Sequence, residues 1–284
     1  MTATILDGRA LARTMRGEIK QQVAAFVDAQ GWAPGIAVVQ VGEDPSSSWY
    51  VRQIKKSFTK AGMAFALHTL PADAQAGSLT GLLSELNADA RTSGVIVQMP
   101  LPKHLPQSLV TDTLDAAKDV DGIHPMSAGR LIQQSGDYFA PATPAGGMEI
   151  LKRYEIDLKG KKAVMVGRSN IVGRPMALLM LHQHATVTVC HSRTVDLPSV
   201  TREADILVAA IGRAKVITAD MIKPGAVVID FGVNVVGDGI QGDVDTGAAM
   251  EVAGAITPVP GGTGPMTNVM LMLNTLTAAR RQQT

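Results

Sequence analysis

Apolar residues recur along the first half of the chain at two spacings, and each spacing predicts a different kind of element. Residues 8–30 have the three-to-four-residue spacing of an amphipathic helix. Its apolar positions are Leu11, Met15, Ile19, Val23 and Phe26. Short apolar runs closed by glycine or proline instead predict buried strands. These strands span 35–42, 63–70 and 94–99, with helices predicted between them at 44–60 and 79–91.

The same alternation continues in the second half, where glycine ends most of the apolar runs. Strands are predicted at 161–167, 185–190, 204–212, 225–232 and 256–260, and helices at 174–184 and 268–280. Strands that alternate with helices of this length are typical of parallel βαβ units. The pattern therefore predicts an α/β protein, and the prolines and glycines of 141–147 mark the expected crossing between two domains.

Composition narrows the functional classes. The 284 residues suffice for two modest domains or one large domain. The chain has 26 Lys and Arg against 25 Asp and Glu, which argues against nucleic acid or an anionic membrane surface as the main partner. A single cysteine, Cys190, excludes an internal disulfide and fits a reducing compartment. No apolar stretch approaches the ~18 residues of a membrane span and no signal-peptide pattern is present, so we expect a soluble cytosolic protein.

The loop after the strand at 161–167 has the position of a dinucleotide-binding loop. A strand enters it and an apolar helix follows it, an arrangement that directs backbone N–H groups and a helix N-terminus at a pyrophosphate. The usual G-x-G-x-x-G pattern is absent, because Ser169 stands where the second glycine would be and the next glycine is Gly173. From these residues alone, an ordinary strand–turn–helix remains the alternative.

Two arginines favour one of the two nicotinamide dinucleotides. Arg193 follows the second strand of this unit, where NAD-specific folds usually carry Asp or Glu. Arg168 adds a second cation in the loop. A guanidinium pairs bidentately with phosphate oxygens, so NADP is favoured over NAD. The alternative is that Arg193 is an ordinary solvated charge.

Six long motifs carry a resemblance to a known family. They are 94–102 (GVIVQMPLP), 118–125 (KDVDGIHP), 166–173 (VGRSNIVG), 189–194 (VCHSRT), 223–230 (KPGAVVID) and 258–267 (PVPGGTGPMT). Through these motifs the chain resembles, over nearly its whole length, the bifunctional methylenetetrahydrofolate dehydrogenase/methenyltetrahydrofolate cyclohydrolase family.

The resemblance implies a two-domain, usually homodimeric enzyme whose domains flank a folate. The first is an N-terminal αβ catalytic domain with a parallel sheet, at residues 1–140, to which a C-terminal helix at 268–284 returns. The second is a Rossmann-like NADP domain at 141–267. The implied reaction is oxidation of 5,10-methylenetetrahydrofolate with NADP, followed by hydrolysis of the methenyl product to 10-formyltetrahydrofolate.

The resemblance also assigns the site residues. Tyr50, Gln98 and Asp121 match substrate-binding and catalytic positions; in the family, the aspartate accepts two parallel hydrogen bonds from the pterin edge. Lys56 matches a further family lysine and is a catalytic candidate. On the substrate side the resemblance adds Pro260, Gly261 and Gly262. The matching cofactor-binding positions are Gly167, Arg168, Ser169, Ile171, Val172, Ser192, Arg193, Val233 and Thr267.

Plainer interpretations exist for some of these residues. Spacing alone would make Asp121 a turn residue beside Gly122, and Gln98 a solvent-facing residue at a strand end. His182 and His184 point apart on a helix, and the other histidines lack partners at ligand spacing, so no metal is predicted.

The chain departs from the family pattern most clearly at Ile54. The family motif is Tyr-x-x-x-Lys, whose two side chains share one helix face, but the residue four after Tyr50 is isoleucine. Lys55 is rotated ~100° from that position and Lys56 ~200° on a regular helix. Without the resemblance, Tyr50, Ile54 and Phe58 would be interpreted as a core stripe. Either the helix shifts locally so that Lys55 reaches the site, or the chain has lost the lysine. Because hydrolysis needs a group that manages protons, we expect such a loss to weaken hydrolysis more than oxidation.

Two other functions stay open at this point. One is a paralogue that acts on a related one-carbon carrier or in a demethylation pathway. The other is a non-catalytic module that binds folate or a dinucleotide. The dinucleotide loop, Gln98 and Asp121 argue against the second.

Overall fold

The computed structural model describes residues 2–42, 45–237 and 239–283. The strands are β1 (Thr4–Ile5), β2 (Gly35–Val41), β3 (Ala64–Leu70), β4 (Gly94–Val97), β5 (Lys162–Val166), β6 (Thr186–Cys190), β7 (Ile206–Ala209), β8 (Val227–Asp230), β9 (Asn234–Val236), β10 (Gly239–Gln241) and β11 (Ala255–Ile256). The helices are α1 (Gly8–Gln30), α2 (Pro45–Lys60), α3 (Ala76–Ala88), α4 (Ser108–Thr113), α5 (Pro125–Gln133), α6 (Ala142–Arg153), α7 (Gly173–His182), α8 (Leu197–Thr201), α9 (Thr246–Ala249) and α10 (Gly264–Arg281). A 3-10 turn lies at Ala219–Met221.

The chain forms two compact units. The three-stranded unit consists of residues 14–142 and 268–283, and the six-stranded unit of residues 2–13 and 143–267. Residues 268–283, which include most of the C-terminal helix, therefore belong to the same unit as residues 14–142. The division differs from the predicted one at residues 2–13, because β1 pairs with β11 in the sheet of the six-stranded unit.

The three-stranded unit is built on a parallel sheet with the order β3–β2–β4. The central strand β2 and its neighbour β4 are almost completely buried, whereas β3 alternates between exposed and half-buried positions. Continuous apolar runs such as that of β4 are what a parallel strand covered on both faces requires. Leu79 and Leu83 of α3 pack on Val39 and Val95 of the sheet.

The six-stranded unit has a parallel sheet with the order β1–β11–β8–β7–β5–β6. Its core combines alternate residues of the strands, among them Val164, Leu207 and Val228. Because β6 and β7 lie on opposite sides of β5, the strand order reverses there. In open α/β sheets, such a reversal opens a crevice at the carboxyl edge, where the strands end.

Most predicted elements are present with shifted ends, and the α/β fold class with two domains is confirmed. Helix α2 begins at Pro45, and the predicted start at residue 44 lies outside the described residues. The predicted strand 256–260 is shorter: β11 ends at Ile256, before Pro258 and Pro260, which have no N–H to donate to a ladder. Of the helices in the described ranges, none combines the length and apolar character that a bilayer crossing needs.

Candidate functional site

Gln98 lies at the carboxyl edge of the three-stranded sheet. It directly follows β4, and its backbone N–H donates to the carbonyl of Val39 in β2 at 2.8 Å. The residue is only 8% exposed, so the solvent-facing alternative is wrong. Tyr50 lies on α2, which follows β2. Because parallel strands end at one edge, the fold directs both residues to the same end of the sheet.

Asp121 lies in a loop beside β4. Two residues earlier, Asp119 forms a parallel bridge with Val95 of that strand. Its carbonyl accepts the backbone N–H of Ala142 at 3.2 Å. The next residue, Gly122, has a φ of +71°, and a Cβ there would lie 2.6 Å from the carbonyl oxygen of Phe139. Only glycine fits this turn, so the position of Asp121 is fixed from both sides.

Tyr50 and Asp121 lie close enough for the charge of Asp121 to act on the Tyr50 hydroxyl. Burial raises the pKa of the Asp121 carboxyl to about 6. Burial is also the main cause that raises the pKa of the Tyr50 hydroxyl, and the charge of Asp121 raises it further. The hydroxyl therefore stays protonated near neutral pH and is available as a donor beside a carboxylate.

Sequence reasoning missed a second buried carboxyl in this loop, that of Asp119. It is 1% exposed, and its Oδ2 accepts the backbone N–H of His124 at 2.7 Å. Burial raises its pKa to about 7; the His124 bond opposes this rise and the charge of Asp121 adds to it. The available signal was a second aspartate two residues before Asp121.

Ile54 occupies the buried face of α2. Ile54 and Phe58 are both 0% exposed, so the core-stripe interpretation holds for these two residues. Lys55 and Lys56 are exposed on the other faces of this helix. The helix thus places an aliphatic side chain at the position four after Tyr50, and the catalytic assignment of Lys56 stays a prediction.

A polar pair lies one turn beyond Ile54. Asn268 of α10 is 7% exposed, and its Nδ2 donates to the hydroxyl of Ser57 at 3.1 Å. Within the described residues, its Oδ1 is buried without a hydrogen-bond partner. An unpaired amide oxygen of this kind costs stability and can accept a bond from a nearby donor.

In the six-stranded unit, the loop after β5 is built for close approach. Gly167 has a φ of +133°, and a Cβ there would collide with the carbonyl oxygen of Ala210. Ser169 replaces a glycine because its Oγ accepts the backbone N–H groups of Val172 and Gly173, both at 3.2 Å. These bonds cap the start of α7, and Ile171 is exposed beside them. Where the usual pattern has a second glycine, this chain therefore has a side chain that accepts two backbone N–H groups of the loop.

The turn after β6 presents Arg193. The N–H of His191 donates to Thr194 Oγ1 at 2.8 Å, and the N–H of Arg193 donates to His191 Nδ1 at 3.1 Å. Arg193 and its neighbour Ser192 are exposed, as is Arg168 in the loop after β5. Both arginines are thus at the carboxyl edge beside the point where the strand order reverses.

The remaining predicted residues follow β8 and β11 at the same edge. Gly261 accepts the N–H of Arg9 at 2.8 Å, and Gly262 donates to the carbonyl of Pro258 at 2.7 Å, so the loop that includes Pro260 is tied down. The Thr263 hydroxyl donates to the carbonyl of Asp230 at 2.8 Å, and the Thr267 hydroxyl donates to the hydroxyl of Thr143 at 3.3 Å. Val233 is exposed.

Tyr50, Gln98 and Asp121 thus belong to one unit, and the nine predicted cofactor residues belong to the other. In the described ranges, no group of three His, Cys, Asp or Glu side chains could hold a metal ion.

Comparisons with known proteins agree with this arrangement. Two family models match: "Tetrahydrofolate dehydrogenase/cyclohydrolase, catalytic domain" over residues 6–121 and "Tetrahydrofolate dehydrogenase/cyclohydrolase, NAD(P)-binding domain" over residues 141–283. The bifunctional protein FolD of Chloroflexus aggregans is 55% identical over 281 residues, which cover 99% of this chain and 98% of that protein.

Solved structures are similar over the whole chain. FolD from Campylobacter jejuni is 41% identical with a TM-score of 0.96, covering 98% of this chain and 99% of that one. The methylenetetrahydrofolate dehydrogenase-cyclohydrolase of Trypanosoma brucei, complexed with NADP cofactor and inhibitor, is 34% identical with a TM-score of 0.95, covering 99% and 98%.

Proposed function

Because the chain belongs to the tetrahydrofolate dehydrogenase/cyclohydrolase family and is an NADP-dependent methylenetetrahydrofolate dehydrogenase, we propose that it releases most of its product as 5,10-methenyltetrahydrofolate. The observation that carries this proposal is Ile54, fully buried where the family pattern has a lysine. Similarity over the whole length of both domains does not favour a non-catalytic module or a different one-carbon carrier.

Three residues of the three-stranded unit hold the folate in this proposal. The Asp121 carboxylate accepts two parallel hydrogen bonds from the pterin edge. Gln98, buried at the end of β4, contacts the reacting ring, and Tyr50 contacts the folate from α2. Hydride transfer needs mainly this orientation, and the burial of Gln98 at the end of β4 supports the proposal.

The carboxyl edge of the six-stranded unit fits NADP. Gly167 allows the backbone to approach the pyrophosphate, and the N-terminus of α7 places the positive end of its helix dipole beside it, while Ser169 accepts the N–H groups of Val172 and Gly173. The exposed guanidinium groups of Arg168 and Arg193 suit the 2′-phosphate. When bound, NADP accepts the hydride from the methylene carbon.

Hydrolysis of the methenyl group lacks its proton-handling side chain. An aliphatic group at position 54 can neither relay protons nor hold a hydrolytic water. Lys55 and Lys56 are exposed on a regular helix, so neither amine replaces the missing one.

Purified protein with methylenetetrahydrofolate and NADP tests the proposal. NADPH and methenyltetrahydrofolate are followed by absorbance in one cuvette. We expect the two to appear in nearly equal amounts, because loss of a general acid–base group slows the hydrolytic step about 100-fold or more. Methenyltetrahydrofolate that fails to accumulate while NADPH forms would refute it.

Replacing Arg193 with alanine is expected to raise the Michaelis constant for NADP about tenfold or more. The guanidinium is exposed at the edge and is proposed to bind the 2′-phosphate, a charge-assisted pair. The constant for NAD, which lacks this phosphate, should change less than twofold. Equal changes for both cofactors would show that Arg193 does not bind the 2′-phosphate.

We also infer a cytoplasmic homodimer. The single cysteine, Cys190, is buried and suits a reducing compartment.

The hairpin of β9 and β10 supports the homodimer. It exposes Val235 (80%), Val236 and Ile240, and a two-stranded hairpin with an uncovered apolar face is marginally stable alone. A second copy of the chain would cover it. Sedimentation equilibrium should give the mass of two chains, and Val235→Lys should shift it toward one; a monomeric wild type would contradict the proposal.

A further inference from the structure

Two buried carboxylates lie at the carboxyl edge of the six-stranded unit outside the assigned cofactor positions. Asp230 ends β8, and Asp243 is the second residue after β10. Both are 0% exposed. A fully buried carboxylate needs hydrogen-bond donors to offset its lost hydration, so its partners indicate what it holds in place.

Asp243 holds the segment that follows β7. Its carboxylate oxygens accept three consecutive backbone N–H groups, those of Ile211, Gly212 (2.9 Å) and Arg213 (3.0 Å). The Nδ2 of Asn234 donates to the same carboxylate at 2.9 Å. Two carboxylate oxygens accept about four hydrogen bonds, so these donors fill it.

Asp230 in turn fixes Asp243. Its Oδ1 accepts the N–H of Asp243 at 3.1 Å, and its Oδ2 accepts that of Val244 at 2.9 Å. A Cβ at Gly242 would collide with the same Oδ2. The two side chains therefore connect the segment after β7 to the segment after β10, in addition to the ladder in which Ala209 of β7 pairs with Asp230 of β8.

The segment held by Asp243 borders the crevice of the sheet. Its neighbour Ala210 lies against Gly167 of the loop after β5. A dinucleotide lies across such a crevice with its adenosine ribose at the end of the second strand, which is β6 with Arg193. The nicotinamide half then extends to the other side, toward β7.

We propose that Asp243 is a positioning residue for the nicotinamide half of NADP, because it sets the backbone of residues 211–213 on the β7 side of the crevice. The inference rests on the cofactor positions proposed above. In Asp243→Asn, an amide NH2 of the same shape replaces one oxygen and faces N–H donors. The segment then loses one of its two acceptor oxygens, while the β6 side stays intact.

Two ligands separate the two halves of the site. Isothermal titration measures the affinity of the full-length protein for NADP and for 2′,5′-ADP, which lacks the nicotinamide half. We expect Asp243→Asn to weaken NADP binding about tenfold, because hydrogen bonds to a charged acceptor are lost. The affinity for 2′,5′-ADP should stay within twofold of the wild-type value. The Michaelis constant for methylenetetrahydrofolate should also stay within about twofold.

The matched control is Asp205→Asn. Asp205 immediately precedes β7 and also accepts a backbone N–H, that of Lys162 at 2.9 Å, but it lies at the opposite end of the strand. Its replacement should change neither affinity. An effect of Asp205→Asn equal to that of Asp243→Asn would reduce Asp243 to a structural residue and overturn the inference.

Further outcomes are decisive. Unchanged NADP affinity in Asp243→Asn, or equal loss of NADP and 2′,5′-ADP, overturns the inference. If that variant does not fold, Asn234→Ala removes one donor to the Asp243 carboxylate at a half-buried position. We expect this variant to bind NADP about threefold more weakly and 2′,5′-ADP with unchanged affinity. Unchanged NADP affinity would overturn the inference. Arg193→Ala should weaken both ligands, and its failure to do so would instead refute the cofactor positions themselves.

Discussion

Replacing Asp121 with alanine is expected to weaken folate binding about 100-fold or more while NADP affinity stays within twofold. The carboxylate is proposed to accept two hydrogen bonds from the pterin, and each bond to a charged acceptor contributes about 1.5–3 kcal/mol. The residue belongs to the three-stranded unit, whereas the proposed NADP residues belong to the other unit. Titration of NADPH fluorescence measures cofactor affinity, and the Michaelis constant reports the folate.

Asp115→Ala is the matched control for this variant. Asp115 lies six residues earlier, and its Oδ1 accepts the backbone N–H of Ala117 at 2.9 Å. Loss of that turn contact should leave folate kinetics unchanged. If Asp121→Ala loses cofactor affinity as well, Asp121 is a structural residue and not a folate ligand.

The raised pKa of Asp121 gives the same assignment a pH signature. Burial places this pKa at about 6, so the carboxylate is ionised above that pH and protonated below it. A protonated carboxyl cannot accept two parallel bonds. The Michaelis constant for folate in the wild type should therefore rise as the pH falls below about 6, and Asp121→Asn should lack this limb.

Parts of the fold could be predicted because their signals are local. The central strands are continuous apolar runs, and β4 is buried on both faces for that reason. Strand β1 could not be predicted: its two residues are exposed, and its partner β11 lies some 250 residues away in sequence. The assignment of residues 2–13 to the six-stranded unit depends on that long-range pairing.

The site shows the same division. Motifs predict roles for Asp121 and Arg193, because those predictions rest on residue type and spacing. They did not find Asp119 or Asp243, whose importance lies in burial and in the backbone N–H groups that each carboxylate accepts. For Asp243 those donors come from a segment about 30 residues away, so only the folded chain reveals them.

Replacing Ile54 with lysine is expected to raise the rate of methenyltetrahydrofolate hydrolysis at least about tenfold. The new amine would extend from the buried face of α2, at the position four after Tyr50, and restore a proton-handling group. The buried Oδ1 of Asn268, held near Ser57 one turn along the helix, has no donor among the residues that the structure describes, and Gln98 offers a further partner. Hydrolysis is measured as the decay of methenyl absorbance with NADP omitted.

Ile54→Met is the control, because it supplies a flexible chain without the amine. It should leave hydrolysis at the wild-type rate. Burial disfavours the charged amine and lowers its pKa, so the lysine variant should also melt at a lower temperature. Its hydrolysis rate should depend on pH over the range in which this amine titrates. Equal hydrolysis by the lysine and methionine variants, with both folded and oxidising methylenetetrahydrofolate normally, would show that the lysine at this position is not what the hydrolytic step lacks.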